Sequence, residues 1–136
     1  MTIVRILVPV DFSPSSDAAL RYALALADEY GAEVEMLHVW SPNGRAPSQR
    51  AIFADTPEGA AMERRLSQAE CDRAERVSGR LEFGEDASRV ILAILEREPF
   101  DLVVMGRVGV GRGARGQVAK RVVNGAPCRV LTLSPA

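Results

Sequence analysis

No aspartate or glutamate follows Asp101, whereas Arg107, Arg112, Arg115, Lys120, Arg121 and Arg129 all lie beyond it. The formal net charge of −1 therefore conceals a C-terminal segment of +6 set against a remainder of −7. A near-neutral balance argues against general nucleic-acid binding, where a basic stripe would dominate the chain, and only that segment keeps the option open. Histidine occurs once, as His38, inside the apolar run Val34 to Trp40. A serine–histidine–acid arrangement has little to build on there, and the residue reads as a core or rim histidine with one satisfied nitrogen. The two cysteines, Cys71 and Cys128, have no metal-ligand spacing, so no metal site is expected. In a cytosolic chain they are expected to be reduced, Cys128 serving as a small core residue at a strand start. Met1 to Val10 is apolar but contains Arg5 and Pro9, too short for a signal sequence or a bilayer span. The expectation is a cytoplasmic protein that does not enter a membrane. No internal repeat is visible.

What is present is ordinary for one globular domain, expected to span residues 1–136. Hydrophobic residues make up 47% and charged residues 26% of the chain, and a domain of this size buries roughly two thirds of its unfolded surface. Ile3 to Val10 is a near-continuous β-branched run, the pattern of a strand covered on both faces. Ser13-Pro14 then supplies a helix cap with proline at the first helical position, and Leu20, Ala23, Leu24 and Ala27 form an apolar stripe that stops at Gly31. Val34 to Trp40 is a second strand, so the first unit is a right-handed βαβ crossover. Ser41 to Asp55, rich in Pro, Gly, Ser and Arg, is the longest connection and is expected near the site. A charged, weakly amphipathic helix from Thr56 to about Val77 should pack on an exposed flank. A poorly marked strand covers Arg80 to Phe83, and Asp86 caps a helix bearing Ala87, Val90, Ile91, Ile94 and Leu95. Leu102 to Met105 is the fourth strand, Gln117 to Val123 a short helix ended by Asn124-Gly125, and Arg129 to Leu133 the fifth strand.

Strands alternating with helices signify an α/β three-layer sandwich around a parallel sheet. Ligands in such sheets sit beyond the carboxyl ends of the strands, where strand order reverses. Asp11, after the first strand, and Gly106, after the fourth, are the natural lips of that crevice. Asp11 could accept from a ribose hydroxyl or an adenine amino group, or could only cap the helix start. The run from Gly106 to Gly116 joins glycines, whose amides can approach an anion closely, to Arg107, Arg112 and Arg115, and it suits a phosphate. A flexible surface loop kept soluble by its arginines is the competing account. Gly111 to Gly116 matches G-x-G-x-x-G by letter, but it does not leave the strand directly and no acid follows for the ribose, so the dinucleotide fingerprint fails. The Walker pattern fails as well.

Together these segments resemble the universal stress proteins across nearly the whole chain. Ile6 to Ser13 resembles that family's first strand and turn, Leu37-His38-Val39 its second strand, and Gly84 to Ala87 its turn into the third helix. Asp101 to Gly106 resembles its fourth strand, while Val118-Ala119 and Ala126 to Leu131 resemble its closing helix and strand. The resemblance implies a Rossmann-like nucleotide-binding fold with five parallel strands ordered 3-2-1-4-5. It also implies a site for ATP or a related adenine nucleotide, with magnesium as a companion ion. Pro9, Val10 and Asp11 would meet adenine and ribose, Val39 would flank the base, and Met105 and Gly106 would approach the nucleotide. Gly109, Gly116 and Gln117 would reach the phosphates. Nucleotide-binding members carry G-x2-G-x9-G-Ser/Thr; here Gly106-x-x-Gly109 is followed by Gly116-Gln117 after only six residues, with glutamine in place of the hydroxyl. Arg112 or Arg115 could compensate by contacting phosphate bidentately. The reading is therefore a stress-response protein that binds adenine nucleotide, and a homodimer through its C-terminal strand. The alternative is a member that binds no nucleotide and acts as a dimeric interaction module. No catalytic residue and no general base is evident, so no enzyme is expected, weak ATP hydrolysis remaining open.

Overall fold

A computed structural model of the chain describes residues 2–40, 56–73, 76–107 and 114–134. The connection expected at Ser41 to Asp55 lies outside them. Strand β1, Arg5–Pro9, has Ile6, Leu7 and Val8 completely buried, as a strand covered on both faces must. Helix α1, Pro14–Tyr30, starts where Ser13 Oγ accepts from the Ser16 N–H at 3.2 Å and ends at Gly31, whose φ of +67° suits a residue without a Cβ. Strand β2, Glu33–Trp40, follows at once.

Helix α2 is Pro57–Arg73 and β3 is Val77–Phe83, so Val77 belongs to the strand and not to the end of the helix. Pairing decides this: Val34 N–H donates to Arg76 O at 2.7 Å and Val77 lies opposite Val34 in the ladder. Nor does α2 sit on an exposed flank alone. Its Met62 is completely buried, and Gly79 of β3 makes room for it, since a Cβ there would lie 3.0 Å from Met62 Sδ and from Leu66 Cδ1. Helix α3, Ala87–Arg97, is capped by Asp86 as expected; β4 is Leu102–Gly106; α4 is Ala114–Gly125; and β5 is Arg129–Leu133. Helix α4 begins three residues before the expected Gln117, taking Ala114, Arg115 and Gly116 into its first turn.

The five strands form one parallel sheet ordered β3-β2-β1-β4-β5. Alternate residues divide between two layers. Ile6, Val8, Val34, Met36 and Val104 meet Ala19, Ala23 and Ala27 of α1 and Met62 of α2 on one face. Leu7, Leu37, Val103 and Met105 meet Ile91, Ile94 and Leu95 of α3 and Ala119 and Val122 of α4 on the other. Cys128, a half-buried free thiol, borders the second layer, and burial pushes its pKa up.

The amino ends of the strands are tied by charge. Asp101 Oδ2 accepts from the Val4 and Arg5 amides at 2.8 and 2.9 Å, while Arg80 pairs with Glu98 and Glu35 and Arg5 reaches both of those carboxylates. The amides of Arg5 and Val4 hold the Asp101 carboxyl below its ordinary pKa; the Ser88 hydroxyl does so for Asp86, and the Arg80 guanidinium for Glu98. A carboxyl depressed in the folded state adds stability above its unfolded pKa and loses it as pH falls through the folded one. The urea midpoint is therefore expected to be flat near neutrality and to drop below about pH 4. Asp101→Asn should lower the neutral midpoint and flatten the acid drop, and an acid profile identical to the parent's would show that Asp101 is not one of its sources.

Candidate functional site

The chain reverses its order of strands between β1 and β4, and a cleft of about 540 Å³, open solvent included, lies there above their carboxyl ends. Pro9, Val10 and Asp11 from β1 and its turn, Leu37, His38 and Val39 from β2, and Met105 and Gly106 from β4 line it. Ala87 and Ile91 of α3 and Val118 of α4 close the apolar side, while Ser13 and Ser16 stand at the start of α1. Its enclosed part, about 80 Å³, is smaller than the roughly 300–1,000 Å³ of small-molecule pockets, while an apolar wall with a few polar groups is their usual make-up.

The polar rim is built by one turn. Asp11 Oδ1 accepts from the Ser13 N–H at 3.0 Å, and the Asp11 N–H donates to Ser16 Oγ at 3.3 Å. Ser16 Oγ in turn donates to Ser13 O at 3.2 Å. Asp11 thus braces the start of α1 by holding Ser13, which is itself the cap. A carboxylate can accept several bonds at once. His38 Nδ1 lies 2.8 Å from Val10 O, and because a carbonyl only accepts, Nδ1 carries the proton. Gly106 is accounted for by packing: a Cβ there would stand 2.9 Å from the Ser15 carbonyl carbon, so only glycine lets α1 approach the end of β4. Ser15 Oγ meanwhile donates to Leu133 O at 3.2 Å, tying α1 to the end of β5.

Of the residues named from the sequence, Pro9, Val10, Asp11, Val39, Met105 and Gly106 come together in this cleft. Gly109 and Arg112 lie outside the described residues. Arg115 and Gly116 fall in the first turn of α4, and the Gln117 side chain is exposed and not part of the lining. Sequence reasoning missed Ser13, Ser16, Leu37, His38, Ala87, Ile91 and Val118 as lining residues. Leu37 and His38 near the end of β2, and Ala87 four residues after β3, carried the signal of a strand's carboxyl end; Ile91 and Val118, inside α3 and α4, carried none. Among the described residues no group of three or more His, Cys, Asp or Glu side chains converges to hold a metal ion. No helix among them is long and apolar enough to cross a membrane.

Comparison with known proteins bears directly on this architecture. The sequence model of the universal stress protein family matches residues 2–134. A universal stress protein of Synechocystis is 28% identical over 131 residues, covering 94% of this chain and 83% of its own. The universal stress protein UspA from Lactobacillus plantarum superposes with a TM-score of 0.80 at 25% identity, over 98% of this chain and 99% of that one. A universal stress protein solved in complex with cAMP also reaches 0.80, at 19% identity over the whole of both chains. Two more distant folds carry related ligands. An Arabidopsis thaliana family member with AMP bound has a TM-score of 0.70 at 17% identity, over 98% of this chain and 92% of that one. The Archaeoglobus fulgidus protein in complex with dAMP has 0.66 at 23%, over 97% and 98%. With its strand order, its cleft at the reversal and a family match over nearly its full length, the chain belongs to the universal stress protein family.

Proposed function

We propose that the cleft binds an adenine nucleotide, ATP or a close relative, and that binding serves a cytoplasmic stress response without turnover of the ligand. The observation that carries this reading is the convergence of Pro9, Val10, Asp11, Val39, Met105 and Gly106 on a single cleft with an apolar wall and a carboxylate at its rim. Adenine suits the wall of Val39, Met105, Ile91 and Val118; the ribose hydroxyls suit Asp11. Phosphates leaving the base past Gly106 would head for the start of α4, whose first amides lack intrahelical partners and favour an anion. The cAMP, AMP and dAMP held by proteins of the same fold support the base and the ribose. Magnesium, in this reading, is brought by a triphosphate. A second reading, a dimeric interaction module without nucleotide, is favoured by the six residues between Gly109 and Gly116 where nucleotide binders resembling this chain have nine.

Thermal unfolding separates the two. A ligand at 100 times its Kd adds about 2.7 kcal/mol, a rise in Tm of roughly 10 °C for a domain of this size. AMP and magnesium ATP should each raise the Tm, and Asp11→Asn, which keeps an oxygen for the Ser13 amide, should weaken both about tenfold through the lost charge. A Tm unmoved by millimolar AMP and ATP sinks the nucleotide reading, and ADP released over hours would add hydrolysis to it.

We propose further that two copies pair through β5. It is an edge strand, and Leu133 O is used inward by the Arg107 amide, so by the two-residue period Val130 and Thr132 turn their backbone groups outward. Two-fold pairing satisfies them. Thr132→Pro, which deletes an outward donor, should sediment as a monomer where the parent sediments as a dimer; a parent that is monomeric at tens of micromolar overturns the pairing.

A further inference from the structure

Behind the cleft rim stands a stack of side chains of which His38 alone lines the cleft. Phe12 has a φ of +63°, the left-handed region, and is the one non-glycine residue so placed among the described residues. For a bulky side chain that conformation is disfavoured by roughly tenfold or more in population, so something must hold it. Its ring lies 4.6 Å from the His38 ring, centroid to centroid and tilted by 37°, and the Arg65 guanidinium carbon lies 4.8 Å from its centroid.

Arg65 comes from α2, which contributes no residue to the cleft lining. It is anchored at three points. Its Nε donates to Asp17 Oδ1 at 2.7 Å, one terminal nitrogen to Asp17 Oδ2 at 3.1 Å, and the other to Ala61 O at 3.1 Å. The bidentate pair orients the guanidinium plane, and a planar cation over a ring is attracted to its face. At the far end of the stack, His38 Nδ1 holds the carbonyl of Val10. Contacts therefore run unbroken from Asp17 through Arg65, Phe12 and His38 to the backbone that carries Val10 and Asp11.

We propose that Arg65 is a positioning residue for the cleft. By holding the Phe12 ring against His38 it keeps the turn after β1 left-handed, and so sets where the Val10 carbonyl and the Asp11 carboxylate stand. Affinity at the cleft then depends on a side chain that does not line it. The ligand in this statement rests on the adenine-nucleotide reading; the link from Arg65 to His38 does not. The competing account is that Arg65 only staples α1 to α2 through Asp17.

The chain's single histidine makes the test direct, because its imidazole nitrogens give unambiguous ¹⁵N NMR signals. The parent should show the Nδ1-protonated form. In Arg65→Met that form should give way to a mixture, and the Kd for AMP should rise roughly tenfold, while Arg65→Lys, which keeps a cation but not the planar fork, falls between. In a Phe12→Gly background, where the turn needs no support, Arg65→Met should leave the AMP Kd unchanged. An Arg65→Met protein with a lower Tm but parental His38 signals and parental AMP affinity overturns the inference in favour of the staple. Equal losses of AMP affinity in both backgrounds overturn it too. If the parent takes up no AMP, the nucleotide reading falls and the His38 spectra alone decide: altered by Arg65→Met they uphold the link, unaltered they end it. Should Arg65→Met not fold, Asp17→Asn loosens the same guanidinium and is read by the same signals.

Discussion

Strand β1 is hydrogen-bonded on both edges and covered on both faces, and the placement of every other element follows from that. A parallel neighbour cannot be reached by a tight turn, so the chain must leave each strand through a crossover, and crossovers are right-handed. Going outward to β2 and β3 puts α1 and α2 on one face. Returning past β1 to β4 and β5 puts α3 and α4 on the other. The two halves diverge above β1, and the cleft is the gap that this divergence leaves.

The gap is kept in shape by its own rim. Ser13, Ser15 and Ser16 are buried, yet among the described residues no buried side-chain nitrogen or oxygen lacks a partner. Ser13 and Ser16 bond within the turn and Ser15 reaches Leu133 O, so the start of α1 is joined both to Asp11 and to the end of β5. A rim ordered before any ligand arrives spares the entropy of ordering it on binding.

Much of this was legible in the residues. The β-branched runs marked buried strands, Ser13-Pro14 and Asp86 marked helix starts, and the lips Asp11 and Gly106 followed from where strands should end. Strand order needed the family resemblance, since alternation alone does not say on which side of β1 the fourth strand lands. What stayed hidden depends on partners distant in sequence. Val77 follows a charged helical run, and only its pairing with Val34 makes it strand. Helix α2 looked peripheral because no local signal shows that Gly79, on the next strand, opens space for Met62. The positive φ of Phe12 gave no sign at all, because neither glycine nor asparagine stands there and its support comes from another helix.

The charged foot of the sheet has one more property. Arg5, Glu35, Arg80 and Glu98 form a connected, partly buried network, with Arg5 also over the Phe100 ring at 4.3 Å. Hydration of ions becomes less favourable on heating, so the cost of withdrawing such charges from water shrinks as temperature rises, while the gain from apolar burial levels off. The sheet is thus reinforced against heat at the amino ends of its strands. Among the described residues the carboxyl ends have separate pairs beside them, Asp17 with Arg65 and Asp86 with Arg89 and Arg121, so the more connected reinforcement lies at the end remote from the cleft.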